Sequence, residues 1–356
     1  MRRPVFTTSE ECYLRGVLLA RLLSGVWRDP LPADQFTAQE LDAIVNLLLE
    51  SGSGALGWWR VRDSSISASA SAIRLREAYR LHAIKAAIFE QGLASASSIL
   101  RIRGFDPLLG KGWAVARSYP ESGLRPYGDA DLYVREDQYD AFSEQVIRER
   151  LDCPVDGHKG TADLADRSFD EVFNRSQLVS LGQATVRVMG PEDHLRLLCL
   201  HMLRHGAWRP LWLCDVAIAL EARPADFDWA YFLSGNRKRS DWAACAIGLA
   251  HQLLGAQVAD TPVAERAQRL PGWLIPTVLM QWGRGQVPHG TRMPMGSYLR
   301  DPAGLLTALR LRWPNAIEAT VGVRGSFNDL PRLPFQLGEC VTRTVRFCVQ
   351  VAQFKA

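Results

Sequence analysis

The chain has 356 residues, 47% of them hydrophobic, and 42 Lys and Arg stand against 38 Asp and Glu for a formal charge of +4. At about 150 residues per domain, this length predicts about two domains and enough apolar side chain to bury a sizeable core. The near-balance of charge excludes a disordered acidic tail and a histone-like binder, while the slight basic excess permits contact with phosphates.

In chain order, residues 1–65 are expected to form an N-terminal helical segment, since VLLARLL (17–23) and LDAIVNLLL (41–49) space their apolar residues near 3.6. The Ser- and Ala-rich stretch 61–75 is the best linker candidate. A long helix is expected from Leu75 to about Ile102, stopped by Gly104. Between 105 and 190 the pattern changes to short apolar runs bounded by Gly, Pro and Asp: DPLLG, ADLYV, CPV and ATVRVMG. These alternate with helical stretches, the signature of a sheet covered by helices. From Pro191 onward the pattern is helical again, opening with PEDHLRLLCLHMLRHG and including AGLLTALRLRW (303–313) and a last helix near CVTRTVRFCVQVAQF.

A membrane span needs about 20 clean apolar residues. Asp215 interrupts one candidate run, and His251 and Gln252 interrupt another. Arg21 cuts short the first apolar run, so no secretory leader is expected. Seven cysteines are scattered without a C-x-x-C pair, which predicts reduced, buried thiols and a cytoplasmic protein rather than a zinc ribbon or disulfide scaffold.

The chemistry concentrates between Leu109 and Val134. Asp129 and Asp131 flank one residue, and on a strand residues i and i+2 share a face. Two carboxylates so placed repel each other unless a cation lies between them, and oxygen ligands of this kind suit Mg²⁺. Upstream, Gly110-Lys111-Gly112 follows a strand and opens a helix, where backbone can approach a phosphate. Downstream, Asp156 on the next strand offers a third carboxylate, and His158 shares its face. A P-loop is excluded: Gly104 and Gly110 have five intervening residues instead of four, and Gly112 stands where Ser or Thr belongs.

A strand with a Gly-bearing turn, a short helix, an Asp-x-Asp strand and a third Asp resembles the DNA-polymerase-β-type nucleotidyltransferase superfamily. More narrowly, LGKGWAVARSY, GLRPYGDADLYV, VDGHKG and MGPEDHLRLLCLHMLRHG are similar to the family of uncharacterised nucleotidyltransferases, over about residues 70–225. Members of that family carry Lys-Gly where better-known relatives have Gly-Gly or Gly-Ser.

The resemblance implies an α+β fold: a small mixed nucleotidyltransferase sheet with helices over 66–190, flanked by the N-terminal helices and by a C-terminal helical domain over 191–356. It implies a cytoplasmic transferase that moves a nucleotidyl group from an NTP to a hydroxyl or phosphate of a small molecule, peptide or protein, including one tailoring a peptide natural product. Asp129, Asp131 and Asp156 would be its catalytic metal ligands for Mg²⁺, with Mn²⁺ as the substitute. Gly110, Lys111, Gly112, Arg125 and His158 would be its nucleotide-binding residues. Neither a membrane nor nucleic acid is an expected partner. The alternative is a non-catalytic binding or regulatory protein that retains the fold.

Other features have plainer expectations. His201 and His205, one turn apart, lack the Glu of HExxH, so packing or substrate contact is expected rather than zinc. Glu192 and Asp193 belong in a helix first turn. Asp215, in an apolar run, needs a partner, for which Arg204 or Arg209 is the expectation. Trp208 and Trp212 are expected in the core, with base stacking as the alternative. The short basic clusters at 236–240, 310–313 and 342–346 are expected to be solvated helix faces.

Overall fold

The computed structural model describes residues 8–29, 31, 35–285, 304 and 312–353. Three helices open the chain: α1 (Ser9–Leu23), α2 (Ala38–Glu50) and α3 (Gly54–Val61). Thr37 and Glu40 cap each other's backbone at the start of α2, a reciprocal box that satisfies two otherwise orphaned N–H groups. The Ser-rich stretch after α3 is a series of turns, and Ser69 caps α4 (Ala70–Ile102). The expected linker therefore ends earlier than composition suggests, because residues 70–75 are already helical. Gly104, at φ +86°, turns the chain out of α4.

The sheet follows. Strand β1 (Leu108–Gly110) leads into the short helix α5 (Gly112–Ala116), and β2 (Ala130–Val134) into α6 (Tyr139–Glu149). Then come β3 (Val155–Lys159), α7 (Phe169–Asn174), β4 (Gln177–Leu181) and β5 (Ala184–Val188). The five strands lie in the order β3-β2-β1-β5-β4. The β1–β2 and β4–β5 pairs are antiparallel, and β1–β5 and β2–β3 are parallel. This mixed sheet bears out the α+β expectation. Strand β4 is an addition: SQLVSLGQATV is a hairpin about Gly182, at φ +58°.

Side-chain alternation divides the sheet into two faces. Leu109, Leu132, Val134, Val186 and Val188 join Phe89, Leu93 and Leu100 of α4 and Phe142 of α6 in one core. Leu108 and Tyr133 point the other way, into a larger core beneath α8 (Pro191–Arg204) and α9 (Pro210–Glu221). That second core also takes in Leu19, Leu22, Ile44 and Leu56 of the N-terminal helices.

The chain continues through α10 (Trp229–Phe232), α11 (Arg237–Leu254), α12 (Ala264–Gln268) and α13 (Leu274–Arg284), and the described residues end with α14 (Ala316–Gly322) and α15 (Leu333–Gln353). The helix expected over 303–313 lies almost wholly outside the described residues. No described helix is long and apolar enough to cross a membrane, and Cys12, Cys153, Cys199 and Cys214 are free and buried.

Candidate active site

The site lies at one end of β1, β2 and β3, on the sheet face that meets α8. Register places it there. Asp131 pairs with Gly110 on one side and with Asp156 on the other, and Tyr133 pairs with His158. Asp156 and His158 therefore lie beside Asp131 and Tyr133 on the same face, as period-2 alternation requires. The His158 ring stacks on Tyr133 at 4.4 Å between centroids.

Asp131 is the hub. Its Oδ1 lies 2.6 Å from the Lys111 ammonium and 2.9 Å from His158 Nε2, and His158 Nε2 is also 3.4 Å from Asp156 Oδ2. Ligand atoms of Asp131, Asp156 and His158 all fall within 4.8 Å of one another, close enough to share one metal ion. Asp129, just ahead of β2, adds a third carboxylate to the same cleft.

The electrostatics separate the two members of the Asp-x-Asp pair. Partial burial raises the Asp129 carboxyl, and the neighbouring charges of Asp131 and Asp156 raise it further. Burial acts in the same direction on Asp131, but the His158 hydrogen bond and the Lys111 charge outweigh it and hold the group below the ordinary carboxylate value. Lys111 and Arg125 only partly offset the like charges that Asp131 and Asp156 set beside Asp129. Hard oxygen donors with an excess of negative charge suit a cation such as Mg²⁺.

Lys111 sits at the β1–α5 turn with φ +48° and is buried. A non-glycine residue in that region is uncommon and costs about 1–3 kcal/mol, so the surroundings hold it there. Gly112 follows at φ +20°, and a Cβ there would lie 3.5 Å from the Asp129 carbonyl oxygen. Gly110 has a different job: its Cβ would come within 2.9 Å of Leu197 and 3.1 Å of Tyr133, so its bareness serves packing against α8. Helix α5 has only 5 residues, so the Lys111 charge, more than a helix dipole, is what this turn offers an anion.

Arg125 reaches the cleft but is committed elsewhere. It forks onto Asp215 with its Nη2 2.8 Å from Oδ2, and the Tyr119 hydroxyl donates to Asp215 Oδ1 at 2.9 Å. Both members of the pair are buried. Asp215 does have a structural ion pair, but the partner is Arg125, not Arg204 or Arg209. Arg209 instead donates to the Ser51 carbonyl, and Arg204 pairs with Asp163.

Asp163 escaped sequence reasoning. It stands on a 3₁₀ turn (Ala162–Leu164) after β3, accepts from the Tyr133 hydroxyl at 3.1 Å and lies 3.9 Å from the Lys111 ammonium. Burial raises its carboxyl, but Lys111, Arg204 and His201 bring it below the ordinary value. The only sequence signal is an acid soon after an Asp-x-His strand.

The far wall comes from α8 and α9. His201 and His205 lie 4.5 Å apart between ring centroids, and both contact Trp212. Burial, with Lys111 and His205 adding to it, drives His201 down to about 3, so it is neutral at pH 7. Trp212 rests on the core with one side and lines the cleft with the other, which departs from a purely core expectation. Glu192 and Asp193 occupy the first turn of α8 as expected, and Asp193 also lies 3.2 Å from Arg167. Lys111, the three carboxylates, His201 and Trp212 are among the residues lining a cleft of about 480 Å³, a volume suited to a small ligand.

The profile of a family described as uncharacterised nucleotidyltransferase matches residues 148–255. That span holds Asp156, His158, Asp163, α8, α9 and α11, and starts after Lys111, Asp129 and Asp131. It begins later and ends further on than the 70–225 span suggested by the motifs. No curated protein and no solved structure matches the chain. The family match points to a transferase, and the sheet is of the mixed kind expected for such a fold.

Proposed function

We propose that this cleft binds a nucleoside triphosphate with Mg²⁺ and moves its nucleotidyl group to a hydroxyl or phosphate oxygen of an acceptor. The observation that carries the reading is the convergence of Asp129, Asp131 and Asp156 on one sheet edge beside the Lys111 ammonium. Asp129, Asp131 and Asp156 would hold the ion, with Mn²⁺ as the substitute. Bound there, the metal would neutralise charge on the attacking and departing oxygens.

The chain's own residues supply the rest. Lys111 and Gly112 face the phosphates. Arg125, fixed by Asp215, contributes positive charge from behind the cleft rather than a free fork. Asp156 is exposed and is placed to take the proton from an acceptor hydroxyl, with His158 orienting it at 3.4 Å. The acceptor oxygen forms a bond to the α-phosphorus, the bond from that phosphorus to the bridging oxygen breaks, and pyrophosphate leaves with the electron pair. Trp212, His201 and His205 form an aromatic wall against which a base can stack.

One observation favours a second reading. Asp131 is already satisfied by Lys111 and His158, as it would be in a binding or regulatory protein that kept the fold. Incubation with each α-labelled NTP, Mg²⁺ and cell extract separates the two. Transfer of label that Asp131→Asn abolishes supports the enzyme. Nucleotide binding without transfer supports the binding protein, and the absence of both overturns the nucleotide reading.

A further inference from the structure

We propose that a second cleft, adjoining the first, is the acceptor site, and that the acceptor is a small molecule carrying a phosphate group. The inference rests on the nucleotidyl-transfer reading for the word acceptor, and on separate residues for the anion.

The second cleft is the larger, about 800 Å³, and the two share Arg204 and His205 as a common sill. Asp163 knits that sill together. Its carboxylate pairs with Arg204 on the catalytic side, and its backbone carbonyl accepts from Arg239 at 2.9 Å on the other. A molecule in the second cleft can therefore extend an oxygen across the sill toward the carboxylates.

The lining is cationic: Arg204, Lys238, Arg239, Arg324, Arg343 and Arg346 face three carboxylates. Those carboxylates are already engaged. Asp166 lies 2.6 Å from buried Arg196, while Glu318 and Glu339 both lie on Arg343, at 2.5 and 2.9 Å. Among the described residues, Arg324 and Arg346 have no carboxylate within 4.0 Å, and Lys238 donates to the Arg324 carbonyl.

Sequence reasoning treats the basic clusters at 236–240 and 342–346 as separate solvated faces. The fold brings them together, from the start of α11 and the middle of α15, onto one concave surface. Several guanidinium groups converging on one concavity match a phosphate dianion better than a carboxylate, because each offers a planar fork to its oxygens. The enclosed volume and the small net charge of the whole chain favour a small molecule over nucleic acid.

The test uses the full chain and two probes, inorganic phosphate and glucose 6-phosphate, titrated calorimetrically beside glucose. The variant is Lys238→Glu with Arg346→Glu, both outside the catalytic cleft. An α,β-methylene ATP with Mg²⁺ is titrated in parallel. The phosphate-bearing probes are expected to bind and glucose not, with affinity at least tenfold weaker in the variant and nucleotide affinity unchanged. Phosphate binding that the variant leaves intact, or no binding of either phosphate-bearing probe, overturns the proposal. Tighter binding of a short RNA with a steep salt dependence also overturns it. Variant-sensitive phosphate binding without any nucleotide binding sustains the anion site while removing the transfer reading, so the two failures are distinguishable.

Discussion

Asp131 and Asp215 show how differently two buried carboxylates can be employed. Asp131 is held by the Lys111 ammonium and the His158 ring at the mouth of a cleft, and Asp215 by a fork and a phenol at its back. Asp131→Asn keeps the shape and removes the charge. It should cut transfer by at least about 100-fold, the scale of losing one electrostatic group at a reacting centre, with the melting temperature little changed. Asp215→Ala leaves the Arg125 guanidinium buried and unpaired and should cost about 3–5 kcal/mol, read as a lower midpoint in urea. Period-2 alternation made the Asp131, Asp156 and His158 cluster legible in the sequence. The Arg125–Asp215 pair spans 90 positions, and no local pattern encodes which arginine arrives there.

Among the elements, α8 carries the most consequence. Burial holds its His194 down to about 4 and its His201 to about 3, against an ordinary 6.5. Between 6.5 and those folded values the unfolded chain binds more protons than the folded one, so stability falls as pH drops through that window. Thermal scans should show the midpoint declining from pH 7 toward pH 5, and His201→Phe should flatten the decline. Gly110→Ala tests how β1 meets the same helix. Its added methyl meets Leu197 and Tyr133, and overpacking of this kind should cost about 1–3 kcal/mol by denaturant titration. Helix α3 and strand β4 are among the elements that periodicity missed, as are the short helices α7, α12 and α14. The glycines at 52 and 54 read as a stop, whereas Gly54 begins α3, and QLVSL is too short and half-exposed to stand out. The short basic clusters were visible individually, but their convergence depends on the tertiary placement of α11 and α15 around one cleft.

At the scale of the whole molecule, one core runs from Leu19 and Leu56 through Leu108 and Leu197 to Leu249 and Ile317. Helices that the sequence sets apart as flanking segments bury side chains against the same cluster as the sheet. Deleting residues 1–65 should therefore uncover that cluster and yield insoluble or unfolded protein instead of a trimmed, folded sheet, as circular dichroism and gel filtration would report.

The ammonium of Lys111, resting 2.6 Å from Asp131, bears on the order in which ligands load. A free divalent ion has to displace a tethered positive charge whose other carboxylate, Asp163 at 3.9 Å, is already paired with Arg204. A triphosphate gives that charge a new neighbour and so vacates the carboxylate for the metal. Metal added alone should accordingly titrate weakly, and the same metal should bind much more tightly once nucleotide is present. Lys111→Gly, which also relieves the left-handed backbone, should narrow the gap between the two titrations.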